Sequence, residues 1–117
     1  MNKRKVGSAY EEKAVLFLKK QGLVILCRNF RNRYGEIDIV ARDNKTTVFV
    51  EVKYRRDAKK GLPEEAVDYR KRRRICRVAD YYRMIHGMGE FSPVRFDVVA
   101  FCGEEIRWFR NAFDYIG

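Results

Sequence analysis

The chain is poor in the residues that most often carry chemistry by themselves. It has one histidine, His86, and three scattered cysteines, Cys27, Cys76 and Cys102, with no Cys-x-x-Cys pair. That is too few ligands for a zinc centre or a histidine-based nuclease mechanism. An odd, dispersed cysteine set builds no disulfide framework, and Cys27 and Cys102 fall in apolar stretches where a thiol acts as a small hydrophobe. All three are read as reduced and structural. Long hydrophobic runs are also missing: no uncharged apolar stretch exceeds five residues, the length of 23–27 and of 98–102, against roughly 20 needed to span a bilayer. The basic residues 1–5 lead into an amphipathic segment carrying Glu11 and Glu12. They do not lead into a hydrophobic stretch and a small-residue cleavage site, so no signal peptide is expected. The cytoplasm is the expected compartment, with no membrane partner.

Acidic residues are outnumbered. Lys and Arg total 26 against 16 Asp and Glu, a net charge of +10, which points to a polyanionic partner such as nucleic acid. Apolar residues at 46% and aromatics at 14% of 117 residues suffice for a core. One domain, residues 1–117, is expected, burying roughly two-thirds of its unfolded surface. No repeat or low-complexity tail interrupts it.

Two short segments hold most of the information, Gly35-Glu36-Ile37-Asp38-Ile39-Val40 and Val48-Phe49-Val50-Glu51-Val52-Lys53. Alternation puts Ile37, Ile39 and Ala41 on one face of the first, and Val48, Val50 and Val52 on one face of the second. This is the period of half-buried strands. The opposite faces carry Glu36 and Asp38, then Glu51 and Lys53. Asp43-Asn44-Lys45-Thr46 between them is a turn signal. A two-residue loop at 44–45 and a four-residue loop at 43–46 give the same register, with Asp38 opposite Glu51 and Glu36 opposite Lys53. Paired Cβ atoms then lie roughly 4.5–5.5 Å apart. Two facing carboxylates repel unless a cation sits between them, and a hard divalent ion such as Mg²⁺ takes oxygen ligands of this kind.

The other elements follow from period and punctuation. Residues 6–21 predict a helix with Val6, Tyr10, Ala14, Phe17, Leu18 and Gln21 on one face and Gly22 as the stop. Glu11 falls at the margin of that face, either extending to solvent or lent to the Asp38–Glu51 site; an acid turned toward a core edge needs a partner. Residues 23–29 predict a strand and 30–33 a basic connection. Residues 56–63 read as a polar loop. Pro63, followed by Glu64 and Glu65, suits the first turn of a helix running to about Ile85, with Val67, Ile75, Val78, Ala79 and Tyr82 inward. Residues 94–101 and 106–110 predict two more strands. The order α-β-β-β-α-β-β makes an α/β domain with a mixed sheet. Asp97, a charge inside an apolar strand, is expected to be a structural partner for an Arg or a backbone amide.

Cations cluster in two places. Arg70, Arg73, Arg74 and Arg77 form one stripe at helical spacing, and Arg55 and Arg56 stand with Lys53, Lys59 and Lys60 just after the acidic segments. Lys71 lies among inward residues. It either extends its ammonium to solvent or reaches the Asp38–Glu51 site and a phosphate there.

The Asp on one strand and Glu-x-Lys on the next resemble the PD-(D/E)XK nucleases, the fold of type II restriction enzymes and archaeal Holliday-junction resolvases. The proline of that signature is absent, with Ile37 before Asp38. The stretch Gly7-x3-Glu11-x2-Ala14, then Arg28-Asn29, Gly35-Glu36-Ile37-Asp38, Phe49-Val50-Glu51-Val52-Lys53 and Arg95-Phe96-Asp97-Val98-Val99, is similar to the bacterial YraN-type family over almost the whole chain. The resemblance implies a restriction-endonuclease-like three-layer fold and metal-dependent phosphodiester hydrolysis in DNA. Asp38 and Glu51, with the Val52 carbonyl and Glu11, would hold Mg²⁺ or Mn²⁺, and Lys53 would orient water or stabilise phosphate charge. Arg70, Lys71, Arg73, Arg74, Arg77, Arg55 and Arg56 would bind backbone phosphates, and such contacts do not read sequence. Selection by structure, as in branched DNA, is therefore expected. A two-fold junction would call for a symmetric dimer, though no segment marks an interface. The contrasting expectation is a nucleic-acid-binding module that keeps the fold without turnover. A positive surface docking an acidic protein is a third.

Overall fold

The computed structural model describes residues 3–55 and 67–117. Arg56, Lys59, Lys60, the 56–63 loop and the helix start expected at Pro63 lie outside these residues. Helix α1 (Lys3–Lys20) is followed by strands β1 (Val24–Asn32), β2 (Gly35–Asp43) and β3 (Thr46–Arg55). Helix α2 (Tyr69–Ile85), β4 (Val94–Cys102) and β5 (Glu105–Phe113) complete the chain in the expected order. No helix among the described residues is long and apolar enough to cross a membrane.

The five strands form one mixed sheet in sequence order, β1-β2-β3-β4-β5. Each neighbouring pair is antiparallel except β3 and β4, which run parallel from Thr47↔Val94 to Arg55↔Cys102. A parallel pair needs a long crossover, and α2 lies on that connection. The helices cover opposite faces. On one, Ala14, Val15 and Leu18 of α1 pack with Ile39, Ala41, Val48, Val50, Val99 and Phe101. On the other, Ile75, Val78, Ala79 and Tyr82 of α2 pack with Val40, Phe49, Phe96 and Val98. Burial on both faces explains why β3 and β4 read as near-continuous apolar runs.

Helix α1 stops where Gly22 takes φ +94°, a conformation that costs a glycine little. The Leu23 N–H then returns to the Leu18 carbonyl at 3.1 Å. The start of α2 differs from expectation. The helix begins at Tyr69, because Asp68 stays extended and its carboxylate accepts from the Lys71 N–H at 2.8 Å. A short acid at this position satisfies an orphan donor and so marks the boundary. Strand β1 also outruns its expected end and continues to Asn32.

The β2–β3 hairpin closes through Asn44 and Lys45, with Asp43 paired to Thr46 and the ladder running to Ile39↔Val50. One step further in this register sets Asp38 opposite Glu51. The expected facing of β2 fails at Glu36 and Ile37. Ile37 joins the α2-side core, while Ile39 and Ala41 join the α1 side. The cause lies in β1, where Asn29 adopts φ 53°. The pair Phe30↔Ile37 thereby turns toward α2, while Arg28↔Ile39 stays with α1.

Asp97 is fully buried and carries a structural network. Its carboxylate accepts from the Arg95 guanidinium, the Trp108 indole at 2.9 Å and the Asn111 backbone N–H at 2.9 Å. The β4–β5 register shifts between Phe96 and Val98, so Asp97 pins an irregular stretch of β5 that sheet bonding alone does not hold. Replacing Asp97 with Ala leaves Arg95 with Asp43 alone, at 2.9 Å, and orphans the Trp108 and Asn111 N–H groups. At about 1–3 kcal/mol for each buried donor left without a partner, the loss should be about 2–6 kcal/mol, read as a lower urea midpoint. An unchanged midpoint would remove Asp97 from the structural core.

Candidate active site

Four elements converge where β2 and β3 part. Strand β2 supplies Glu36 and Asp38, β3 supplies Glu51 and Lys53, α1 supplies Glu11, and α2 supplies Lys71 and Arg74. Beyond Ile39↔Val50 the strand ladder stops, and the Asp38 carboxylate takes the backbone N–H of Val52 at 2.8 Å. A side chain thus replaces a strand carbonyl, and the gap opens two clefts. One of about 280 Å³ faces α2, lined by Tyr34, Glu36, Asp38, Glu51, Lys71 and Arg74. The other, about 330 Å³, faces α1 and is lined by Glu11, Asp38, Glu51, Val52, Lys53 and Lys71. Asp38, Glu51 and Lys71 border both.

The acids separate into two sets. Carboxylate oxygens of Glu11, Glu36 and Asp38 all lie within 4.8 Å of one another. Glu51, 6% exposed, is held by cations, with Lys71 Nζ at 2.6 Å and Lys53 Nζ at 3.4 Å. Glu36 is not the partner of Lys53 that the hairpin register suggests. It pairs with Arg31 across β1 and meets Glu11 because the chain turns over at Asn29. The Asn29 amide nitrogen, turned toward the acids, donates to Glu36 at 2.7 Å and to Glu11 at 3.0 Å. Strand alternation therefore does not mark Glu36 and Asn29 as site residues. The usable signal is an asparagine, a residue tolerant of positive φ, inside an otherwise regular strand.

Electrostatics follow from this crowding. Burial, reinforced by the nearby Glu51 charge, pushes the Asp38 carboxyl up to about 8, against the opposing pull of the Val52 N–H. Burial and then Glu36 raise Glu11. Burial and the neighbouring Lys71 lower Lys53. For Lys71, burial pulls downward but contact with Glu51 outweighs it, and the net direction is up. Three carboxylates pressed together, with Asp38 and Glu11 both shifted upward, form a site that gains by taking up positive charge. Oxygen-only donors of this kind suit Mg²⁺ and Mn²⁺.

The expected cationic residues divide as well. Arg70, Arg73 and Arg74 are exposed on the first turns of α2. Arg77 is engaged elsewhere. Its guanidinium donates to the Ile116 carbonyl and the Tyr115 hydroxyl and pairs with Asp80, so it ties the chain end to α2 and does not join an open stripe. Lys71 reaches the site directly. Arg55 ends β3, and Arg56 lies outside the described residues.

The profile of the uncharacterised protein family UPF0102 matches residues 10–101. A UPF0102 protein of Lachnoclostridium phytofermentans is 52% identical over 117 residues, covering 100% of this chain and 99% of its own. One from Fusobacterium nucleatum is 43% identical over 95% of this chain and 92% of its own. The UPF0102 protein YraN of Salmonella typhi is 42% identical over 97% of this chain and 88% of its own. The matched span takes in Glu11, Asn29, Glu36, Asp38, Glu51, Lys53 and Lys71, and the chain belongs to the UPF0102 family, that of the YraN proteins.

Proposed function

We propose that this protein is a metal-dependent nuclease that hydrolyses phosphodiester bonds in DNA, selecting branched or junction-like structure rather than sequence. The observation that carries the reading is the clustering of Glu11, Glu36 and Asp38 oxygens within 4.8 Å, beside a glutamate flanked by two lysines, on a chain of net charge +10. The donor set fits a divalent cation, because like charges at this spacing repel and water alone does little to separate them in a partly buried site. Glu11, Glu36 and Asp38 would hold the ion, with Glu51 and the Val52 carbonyl at the same cleft. When bound, it would acidify a water and neutralise phosphate charge.

The protein's own groups supply the rest. Lys53 sits two residues from Glu51 on the cleft-facing side of β3, where its ammonium would orient the attacking water and stabilise charge gathering on the phosphate oxygens. Lys71 fixes the Glu51 carboxylate and offers a second cation at the same cleft. Arg74 borders the cleft, and Arg70 and Arg73 continue the positive surface. Arg55 and Arg56 would add to it on charge and position alone. These contacts hold a phosphate backbone without reading bases. A dimer is expected if the substrate is a two-fold junction. The pairing of Glu51 with both lysines favours one other reading, a binding module in which those lysines permanently fill the site.

A cleavage assay separates the two readings. On labelled single-stranded, duplex, flap and four-way-junction DNA, cutting should require Mg²⁺ or Mn²⁺ and stop in EDTA. Asp38→Asn should abolish it, and Lys53→Ala should slow it by about 10²–10³-fold. Cutting that survives EDTA would overturn the metal reading. DNA binding without cutting, unchanged by either substitution, would leave the binding module.

Asp38 also makes apo stability depend on pH. The folded carboxyl keeps its proton to about 8, while the unfolded one releases it near pH 4. The native state therefore binds more protons in that window, and stability falls as pH rises from 4 to 8. Asp38→Asn should raise the apo Tm by an amount that grows across this window and levels off above it. Each kcal/mol relieved appears as about 4–8 °C. Mn²⁺ should stabilise the wild type more at pH 9 than at pH 6, because protons compete for the same oxygens, and should do little for the variant. A pH-independent difference, or equal Mn²⁺ effects, would show that Asp38 is not the titrating ligand.

A further inference from the structure

A second and larger cleft, about 730 Å³, adjoins the acidic one. It lies between the β1–β2 turn and α2, lined by Arg31, Arg33, Tyr34, Arg77, Asp80, Tyr81 and Met84, together with Asn32. Tyr34 borders both clefts, so the two are neighbours. The lining combines two features seldom found together on a surface with no partner. Tyr34 is 45% exposed, Tyr81 39% and Met84 68%, a cluster of flat and polarisable groups that water does not favour. Among them stand the guanidinium groups of Arg31 and Arg33.

The turn holds this arrangement open. The Asn32 side chain accepts the Tyr34 N–H at 2.8 Å, fixing the bend from β1 into β2. The Arg33 guanidinium lies over the Tyr34 ring at 4.8 Å and donates to its hydroxyl at 2.7 Å. Across the cleft, Tyr81 rests against Phe30 with ring centroids 6.0 Å apart. The one acid among the described lining residues, Asp80, is paired with Arg77 and accepts from the Tyr115 hydroxyl, so it contributes little net negative charge. Arg31 makes a long contact to Glu36 at 3.7 Å and its side chain is 66% exposed, leaving its guanidinium open to an incoming anion.

We propose that this cleft receives an unpaired nucleobase of a single-stranded or branched nucleic acid, stacked against Tyr81 and Tyr34 while Arg31 and Arg33 take the flanking phosphates. Exposed aromatic rings beside a cationic track are the chemistry that binds single strands without regard to sequence. A base inside a duplex offers no face to such rings, so a blunt duplex gains only the phosphate contacts. The inference rests on the nuclease reading for its substrate and refines it. The shared wall at Tyr34 puts the unpaired nucleotide beside the acidic site, and the preferred substrate is one with unpaired nucleotides near the point of cutting.

The test is binding in EDTA, where no turnover enters. Fluorescence anisotropy would compare a blunt duplex, a single strand and a fork with unpaired arms, for the wild type and for Tyr81→Ala, Tyr34→Ala, Tyr81→Phe and Tyr34→Phe, with circular dichroism and Tm to establish folding. The Ala variants should bind the single strand and fork about 5- to 100-fold more weakly, the span set by losing one stacked base. Duplex binding should hold, and the Phe variants should bind as the wild type does. An abasic site in the unpaired arm should weaken the wild type and leave Tyr81→Ala unchanged. Equal losses on duplex and fork, or no loss, would overturn the base-stacking proposal while nucleic-acid binding stood. No binding to any oligonucleotide would overturn both readings. A dimer that dissociates in Tyr81→Ala, with forks still bound, would assign the cleft to a second copy and overturn this assignment.

Discussion

The crowding of Glu11, Glu36 and Asp38 is the constraint around which the rest of this protein is arranged. Carboxylates within 4.8 Å of one another in a partly buried site repel strongly enough that a flexible chain would separate them. They stay together because rigid elements hold each one. Glu11 is fixed by a helix whose apolar residues Ala14, Val15 and Leu18 are buried in the sheet. Glu36 and Asp38 are fixed by a strand paired on its β1 side through Phe30↔Ile37 and Arg31↔Glu36. Asn29 at positive φ makes the convergence possible. By turning the strand pair over, it sends Ile37 into the α2-side core, brings Glu36 toward α1 and leaves Asp38 between.

The parts legible in the sequence are those governed by strict periods. The hairpin register depends only on an even loop length, so the opposition of Asp38 and Glu51 follows from residue spacing alone. The same holds for the parallel β3 and β4, whose unbroken apolar runs announce burial on both faces. The illegible parts depend on single residues that break a period. A lone αL asparagine reverses the facing of Ile37 and Glu36, and two-fold alternation contains no hint of which asparagine will do so. Helical spacing puts Arg77 in a stripe with Arg70, Arg73 and Arg74. It cannot register that the chain end returns to α2 and engages Arg77 through Ile116 and Tyr115. The start of α2 at Tyr69 is marked by Asp68, whose carboxylate accepts the Lys71 N–H, whereas Pro63, Glu64 and Glu65, which carry helix-start signals as strong in composition, lie outside the described residues.

Helix α2 shows how the site and the positive surface depend on one another. It has no acid in its first turn and instead carries Arg70, Lys71, Arg72, Arg73 and Arg74 where the helix dipole is positive. That placement costs stability locally. Two of these cations find partners in the protein, Lys71 on Glu51 and Arg72 on the Val67 carbonyl and over the Phe113 ring. Arg70, Arg73 and Arg74 are exposed, and none of them pairs with an acid among the described residues, so the end of the helix nearest the acidic cluster presents positive charge. Negative site and positive rim then lie side by side. Under the proposed nuclease reading, this pairing would attract a phosphate backbone at long range and offset the repulsion of the acids at close range.

Two aspartates of one sheet, Asp97 buried and Asp38 partly buried, sit in opposite electrostatic surroundings. Asp97, wholly inside, accepts from a guanidinium, an indole and a backbone amide. Its charge is balanced, and it pins the irregular part of β5. Asp38 has one backbone donor, Val52, and three acidic neighbours, Glu11, Glu36 and Glu51. Folding stability alone would favour replacing it with an uncharged residue, since burying an under-compensated carboxylate is destabilising. A fold that satisfies one buried acid so fully has the means to satisfy the other. That it leaves Asp38 strained, at the mouth of two clefts and beside two lysines, is the pattern expected where local stability is given up for chemistry.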